Sequence, residues 1–176
     1  MSFLVIAYPE ISQSDFQRIQ KFRQHHDLSF RLVNPHFTLV FPVPDWEEKT
    51  FTTEIIKRSK NFHSFEFCLR CTTLNKDAFS EYYHVFLVPD EGYSHFVKLH
   101  DKLYNGTLFP HRKLQIDFIP HIAIGNSRDP KKCLDMITHW NRRPFSIAGR
   151  ISVLDIIKYE NNMVETRKRI PLKMQQ

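Results

Sequence analysis

The segment NPHFTLVFP, residues 34–42, places a histidine and a threonine two positions apart within an otherwise apolar run. A related segment, FIPHIAIGN, returns at residues 118–126 with alanine in place of the threonine. Both histidines follow a proline, which cannot donate to a sheet ladder and therefore favours the start of a strand. The pattern predicts two strands, at 36–41 and 118–124, that each open on a Pro-His pair.

The two faces of the first predicted strand differ in chemistry. Because side chains alternate across a strand, His36, Thr38 and Val40 are expected to share one face. The opposite face is apolar throughout and is predicted to meet the core; its residues are Phe37, Leu39 and Phe41. The first face therefore presents an imidazole and a hydroxyl about 7 Å apart along the strand.

The second predicted strand repeats this division. Alternation places Ile122 and Ile124 in the core, and the other face carries His121, Ala123 and Gly125. The two histidines are 85 residues apart, about half of the chain. One histidine in a strand is usually a hydrogen-bonded structural residue, but two at matching places indicate a shared groove.

Hydrophobic periodicity predicts two halves that resemble each other. Strands are predicted at 3–8, 36–41, 64–74, 82–89, 118–124, 145–158 and 163–172, and helices at 13–26, 45–59, 93–105 and 130–140. Ser12 or Ser14 is the expected cap of the first helix and Asp45 that of the second. Split after about residue 75, each half holds one Pro-His strand followed by a helix. This order predicts an α+β fold with a duplicated unit, forming a single domain over residues 1–176 as two pseudo-symmetric lobes.

Composition narrows the class of protein. The 176 residues are 41% hydrophobic, with 16 Phe and 4 Gly, which is typical of a globular chain. No apolar run approaches the roughly 20 residues that cross a bilayer, and the opening residues read as a strand, not a signal peptide. Three cysteines are too few for a disulfide framework, and Cys68 and Cys71 lie three apart on a predicted strand, where they make poor zinc ligands. We predict a cytoplasmic monomer that needs no metal or cofactor and does not enter a membrane.

Paired imidazoles suit phosphodiester chemistry. With an unperturbed pKa near 6.5, one ring is expected to be neutral and the other protonated at neutral pH. The neutral ring takes a proton from an attacking hydroxyl or water, and the charged ring gives one to the leaving oxygen. A nearby hydroxyl holds a non-bridging phosphate oxygen as negative charge develops. The net charge of +6 also favours a phosphate-bearing partner.

The tetrapeptides HFTL (36–39) and HIAI (121–124), their spacing and the duplicated halves resemble the two-histidine (2H) phosphoesterase superfamily, which includes the 2′-5′ RNA ligase-like proteins and cyclic nucleotide phosphodiesterases. The resemblance covers nearly the whole chain. It implies a bilobal fold in which two antiparallel sheets flank a central cleft, with helices outside. It also implies metal-independent action on 2′,3′-cyclic phosphates or 2′-5′ linkages, with a nucleotide or an RNA terminus as substrate.

Carried over by position, the resemblance makes His36 and His121 the acid and base and Thr38 a phosphate-holding hydroxyl. Which histidine is the acid stays open, because the roles exchange between cleavage and ligation. Ala123 departs from the family pattern, which has Thr or Ser there. Three accounts remain: a substitute donor, slow turnover, or ligand binding without turnover. The candidate substitute donors are a backbone N–H, Tyr83, Arg112 and Asn126.

Two other classes of function compete with an enzyme. One is an RNA-end or nucleotide-binding module whose second half-site, at Ala123, is inactive. The other is a scaffold that binds no nucleic acid and whose positive charge only keeps it in solution. His84, in the predicted strand 82–89, is a further candidate for substrate contact, with an ordinary place in the sheet as the alternative.

Overall fold

The fold is described from a computed structural model that covers residues 1–174. The strands are β1 Ser2–Ala7, β2 Glu10–Ile11, β3 Phe37–Pro44, β4 Phe65–Lys76, β5 Tyr83–Glu91, β6 Ile122–Ser127, β7 Ile147–Ile151, β8 Val153–Glu160 and β9 Met163–Pro171. The helices are α1 Gln13–His26, α2 Glu48–Ser59, α3 Tyr93–Tyr104 and α4 Pro130–Asn141, with a short 3-10 turn at Phe109–His111.

The strands form two antiparallel sheets. The first sheet has the order β3-β1-β8-β9, and the second has the order β2-β7-β4-β5-β6. The two strands that follow the histidines, β3 and β6, are therefore both edge strands. Each is paired with the strand that opens its own half, β3 with β1 and β6 with β5. The unit strand-helix-strand-helix occurs twice, as β1-α1-β3-α2 and β5-α3-β6-α4, which confirms the predicted duplicated α+β fold.

The helices cover the outer faces of the sheets in an exchanged arrangement. Helix α1 lies between β1 and β3 in the chain, yet it packs on β6 of the second sheet together with α4. Helix α3 lies between β5 and β6 in the chain, yet it packs on β3 of the first sheet, with α2 beside it. The apolar sides of the histidine strands face these helices, and Phe37 and Ile122 are completely buried there. The core thus lies between each sheet and a pair of helices, one of which comes from each half.

Several predicted boundaries are wrong. The strand predicted at 118–124 is β6, which runs from Ile122 to Ser127. The second helix begins at Glu48, and its N-cap is Glu47, which accepts a hydrogen bond from the Thr50 N–H. Asp45, the predicted cap, instead has a positive φ of 61° in the preceding turn. The predicted strand 145–158 is two strands, because the chain leaves the second sheet after β7 and enters the first at β8. Helix α1 starts and ends as predicted, with Ser12 as its cap.

Both histidine strands contain a bulge three residues after the histidine, which the alternation rule did not foresee. In the β1–β3 pair the register passes from Ile6 opposite Thr38 to Val5 opposite Val40, so Leu39 is the extra residue. Because a bulge reverses which face the following residues occupy, the expected placement of Val40 and Phe41 is wrong. Val40 is completely buried in the core, and Phe41 lines the space between the sheets.

The bulge in β6 has the same position and the same effect. Val85 lies opposite Gly125 and Phe86 opposite Ala123, which leaves Ile124 as the extra residue. Gly125 therefore turns toward the helices, where an added Cβ would lie 2.7 Å from the Met136 sulfur. Its expected place beside His121 is wrong, and Asn126 takes the inward-facing position instead.

Candidate functional site

A cleft of about 660 Å³ lies between the two sheets and collects most of the predicted site residues. The first sheet contributes His36 and Thr38, and the second contributes His121, Ala123 and Asn126. Each histidine lies immediately before its edge strand, so the two motifs meet across the cleft. The duplicated halves thus bring together residues that are 85 positions apart in the chain.

Both imidazoles are held by the same local hydrogen bond, from Nδ1 to the backbone carbonyl two residues earlier. The Nδ1 atom of His36 lies 2.8 Å from the Asn34 carbonyl oxygen, and that of His121 lies 2.5 Å from the Ile119 carbonyl oxygen. Each carbonyl belongs to the residue before the proline, which the proline restricts to extended backbone. Because a carbonyl oxygen only accepts, each Nδ1 carries the hydrogen and donates it. Nε2 is therefore the nitrogen of each ring that is left for chemistry.

The protonation of the two rings differs from the expectation based on free histidine. Burial lowers the pKa of His36, although its hydrogen bond to the Asn34 carbonyl opposes this. Burial, assisted by the nearby His36 and His84 and opposed by the hydrogen bond to the Ile119 carbonyl, lowers the pKa of His121 from 6.5 to about 4. Without a bound anion, both rings are neutral at pH 7. The predicted pair of one neutral and one charged ring then requires a negatively charged ligand, whose field favours the protonated form.

A buried ion pair supports the loop that leads to His36. The Arg23 Nε atom lies 2.7 Å from Asp27 Oδ2, and each side chain has only 2% of its surface exposed. Arg23 also donates to the Val33 carbonyl at 2.8 Å, and Asp27 accepts from the Ser29 N–H at 2.9 Å. These bonds tie the end of α1 to residues 28–35, which carry the Pro-His turn.

Asn126 also takes part in the hydrogen-bond network around Arg23 and Asp27. Its side-chain amide donates to Asp27 Oδ1 at 3.1 Å, which joins the second sheet to the end of α1. Its Oδ1 atom is buried without a hydrogen-bond partner among the described residues. Asn126 therefore lines the cleft mainly as a link between the two halves.

Tyr83 and Arg112 do not line the cleft. Tyr83 lies on the opposite face of β5, where it packs against the core with Lys76 Nζ 5.0 Å from its ring centroid. Arg112 forms an ion pair with Asp101 on α3, with 2.6 Å between Nη2 and Oδ1. The structure thus brings together five of the seven predicted site residues and places these two elsewhere.

The second sheet adds two residues beside His121. Phe86 stacks on the His121 ring with centroids 3.5 Å apart and an angle of 15° between the planes. His84 lies on the same face of β5 as Phe86, and its side chain lines the cleft. Its Nε2 atom lies 3.0 Å from Asp77 Oδ2. The alternation in residues 82–89 signals that His84 and Phe86 share a face, but nothing in the sequence signals the partner Asp77.

The floor of the cleft is apolar, and its charges are mixed. The floor is formed by side chains of β1, β8 and β9, namely Leu4, Ile6, Ile157, Tyr159 and Val164. Basic and acidic side chains occur in equal number in the lining: Arg23, Lys76 and Lys113 against Asp27, Asp77 and Asp117. The positive net charge of the chain is therefore not concentrated in the cleft.

Within residues 1–174 no group of three or more His, Cys, Asp or Glu side chains is placed to hold a metal ion. No helix in the same range combines the length and the apolar character that crossing a membrane requires.

Solved structures with the same fold include one described as a phosphoesterase. The chain resembles TT0787 of Thermus thermophilus with a TM-score of 0.64 and 12% identity over 100% of both chains. It resembles Escherichia coli LigT in complex with 3′-AMP with a TM-score of 0.57 and 14% identity over 97% of each chain. Usb1 of Kluyveromyces marxianus gives 0.54 and 11% over 97% of this chain and 98% of that one. At these identities the likeness shows the fold alone.

The family to which this chain belongs is identified from its sequence. A comparison with curated protein sequences gives no significant match. Residues 9–163 match the family model described as the 2′-5′ RNA ligase superfamily, which spans most of the chain and confirms the resemblance first indicated by the two histidine strands. This chain belongs to the 2′-5′ RNA ligase superfamily.

Proposed function

We propose that this protein is a metal-independent phosphodiesterase that acts on 2′,3′-cyclic phosphates or 2′-5′ linkages of nucleotides and RNA ends. The observation that carries the proposal is the pair of histidines in one cleft, each with Nδ1 tied to a backbone carbonyl and Nε2 left for proton transfer. The family match supports phosphoesterase chemistry in general. LigT, a protein of the same fold, has been crystallised with 3′-AMP and with ATP, which supports a nucleotide as the ligand.

The proposed reaction is an in-line displacement at phosphorus. The neutral imidazole of one histidine removes a proton through Nε2 from a water molecule, whose oxygen forms the new bond to phosphorus. The bond from phosphorus to the ribose oxygen breaks, and the imidazolium of the other histidine protonates that oxygen. Thr38 donates its hydroxyl hydrogen to a non-bridging phosphate oxygen. With water as the nucleophile, the products are a phosphomonoester and a free ribose hydroxyl. In ligation a ribose 5′-hydroxyl attacks a cyclic phosphate in place of water, which forms the new diester and frees the neighbouring ribose hydroxyl. Cleavage by that neighbouring hydroxyl is the reverse of ligation, with the roles of the two histidines exchanged.

The low pKa of both histidines fits a substrate that brings negative charge. A phosphodiester between the rings favours protonation of one of them, so the acid is created when the substrate binds. This coupling leaves the second ring neutral, because two imidazolium groups in one cleft repel each other. The proposal therefore needs no permanently charged histidine.

Turnover of 2′,3′-cyclic AMP tests this proposal. We expect activity that survives EDTA and falls by about 10²–10⁴-fold in His36→Ala and in His121→Ala. His95→Ala is a matched control, because His95 is exposed on α3 and does not line the cleft. Activity that depends on added divalent metal, or that both cleft variants retain, would refute the proposal.

Ala123 favours one alternative, an RNA-end or nucleotide-binding module with an inactive second half-site. Position 123 lies in the cleft but has no hydroxyl to offer a phosphate. In that case the wild-type protein binds 3′-AMP, as measured by calorimetry, and leaves 2′,3′-cyclic AMP intact.

We also propose that the protein is a cytoplasmic monomer. Cys68, Cys71 and Cys133 are all free thiols in the structure, as expected of a reducing compartment. Size-exclusion chromatography with light scattering measures the oligomeric state directly.

A further inference from the structure

The half-site around Ala123 lacks an obvious group to hold the phosphate. On the other side of the cleft Thr38 supplies a hydroxyl, whereas alanine offers no hydrogen-bond donor. Tyr83 faces the core, and Arg112 is paired with Asp101. The amide of Asn126 already donates to Asp27. None of the three candidate side chains is thus free to donate here, which leaves a backbone N–H or another side chain of the cleft as the donor.

His84 is placed beside this gap. In the β5–β6 pair His84 lies opposite Asn126, and Phe86 lies opposite Ala123, so His84 is the diagonal neighbour of Ala123. His84 lines the same cleft as the two motif histidines. Its ring centroid lies 5.9 Å from that of Phe86, which in turn lies 3.5 Å from that of His121. His84 and His121 are thus no further apart than the sum of these two distances.

The His84 ring is oriented by a carboxylate. Its Nε2 atom lies 3.0 Å from Asp77 Oδ2, while Asp77 Oδ1 accepts from the N–H groups of Phe79 and Ser80 at 2.7 and 3.1 Å. Burial alone raises the pKa of Asp77, but these hydrogen bonds lower it overall, so the carboxylate is ionised at neutral pH. An ionised carboxylate only accepts, and Nε2 is therefore the donor.

This orientation is the reverse of that of the two motif histidines. In His36 and His121 the backbone occupies Nδ1 and leaves Nε2 for chemistry. In His84 the carboxylate occupies Nε2, and Nδ1 has no hydrogen-bond partner within residues 1–174. A protonated His84 has a second N–H donor at Nδ1 and a positive charge, both of which suit a phosphate oxygen.

We propose that His84, oriented by Asp77, is the phosphate-binding residue of the second half-site and holds the non-bridging oxygen that a hydroxyl at position 123 would otherwise hold. The inference rests on the proposed function, because it names the binding group of the same site. It adds a substrate-contacting residue outside the two histidine tetrapeptides. It also gives the cleft a hydrogen-bond donor on each side of the phosphate, Thr38 on one side and His84 on the other, in a chain that has alanine at position 123.

The kinetic test compares variants at positions 84 and 123. We expect His84→Ala to lower kcat/KM for 2′,3′-cyclic AMP by about tenfold or more, the loss of one charge-assisted hydrogen bond. Ala123→Ser should restore most of this loss in the His84→Ala background, and the factor by which it raises kcat/KM should be larger there than in the wild type. Equal effects of Ala123→Ser in both backgrounds, or full activity of His84→Ala, would overturn the inference.

A second variant separates phosphate binding from a structural role. In His84→Gln the amide can still donate to Asp77, but the residue has no charge and no Nδ1–H. If His84 only fastens the β4–β5 loop to the sheet, His84→Gln keeps wild-type activity, and the inference fails. If His84 binds phosphate, His84→Gln melts like the wild type and loses activity as His84→Ala does. His95→Ala controls for the loss of an exposed imidazole.

Calorimetry with 3′-AMP keeps this test separate from that of the proposed function. If the wild type binds 3′-AMP without turning over the cyclic substrate, the phosphodiesterase proposal fails while the role of His84 is still measured. About tenfold weaker binding by His84→Gln then supports the inference, and unchanged binding refutes it. A wild-type protein that neither binds nor reacts refutes both.

Discussion

The partly buried imidazole of His121 should make the protein less stable in acid, and replacing this one residue should remove the effect. Burial lowers its pKa from 6.5 to about 4 in the folded protein, so over that pH range the unfolded chain binds a proton that the folded chain does not. The stability contributed by the neutral ring is complete above pH 6.5 and is lost as the pH falls toward 4. Between pH 7 and pH 5 this linkage amounts to about 2 kcal/mol.

Urea unfolding at pH 7 and pH 5 measures the effect. His121→Gln should lose about 2 kcal/mol less than the wild type over this interval, because glutamine does not titrate. His95→Gln, which changes an exposed histidine on α3, should follow the wild-type curve. Buffers free of sulfate and phosphate are needed, since a bound anion stabilises the protonated ring. If His121→Gln and the wild type lose the same free energy, the pKa of His121 is not lowered in the folded protein and the reasoning fails.

Two further predictions concern the same cleft. Sulfate keeps its charge from pH 8 to pH 5, whereas His36 and His121 take up protons over this range when the anion is bound. The affinity of the protein for sulfate, measured by calorimetry, should therefore rise as the pH falls. A Kd that is constant between pH 8 and pH 5 would contradict the lowered pKa values. Arg23→Met should lower the free energy of unfolding by about 3–5 kcal/mol because it leaves the Asp27 carboxylate buried without its cation. Arg23→Met combined with Asp27→Leu should cost less than the sum of the two single changes in urea unfolding, and an additive result would show that the pair does not interact.

Local periodicity was sufficient to locate the motif strands and the fold class. The alternation around His36 and His121 predicts which neighbours are apolar, and Phe37 and Ile122 are indeed buried. It fails from the fifth residue of each motif onward, at Val40 and Gly125, because the bulges at Leu39 and Ile124 depend on the register with β1 and β5. The register between two strands that are distant in sequence is set when the sheet assembles, so it cannot be predicted from the sequence of either strand alone.

The rest of the site depends on contacts across the fold. His84 and Asp77 meet because β4 and β5 form a hairpin whose connecting loop turns Asp77 back onto the sheet. Asn126 reaches Asp27 because α1 packs on β6. The lowered pKa of both motif histidines arises from burial, which no local pattern of residues specifies.

Each half contributes a helix that covers the histidine strand of the other half, and this exchange limits how such a chain can evolve and whether one half can fold alone. Because α1 covers β6 and α3 covers β3, a half cut out by itself would leave its own histidine strand with an uncovered apolar back. A half-length ancestor would therefore have worked only as a domain-swapped pair, each copy lending its helix to the other. Fusion of two such copies makes that exchange intramolecular and fixes the stoichiometry at two imidazoles per cleft. After fusion the copies are free to diverge, so that one retains a threonine at position 38 while the other has an alanine at position 123.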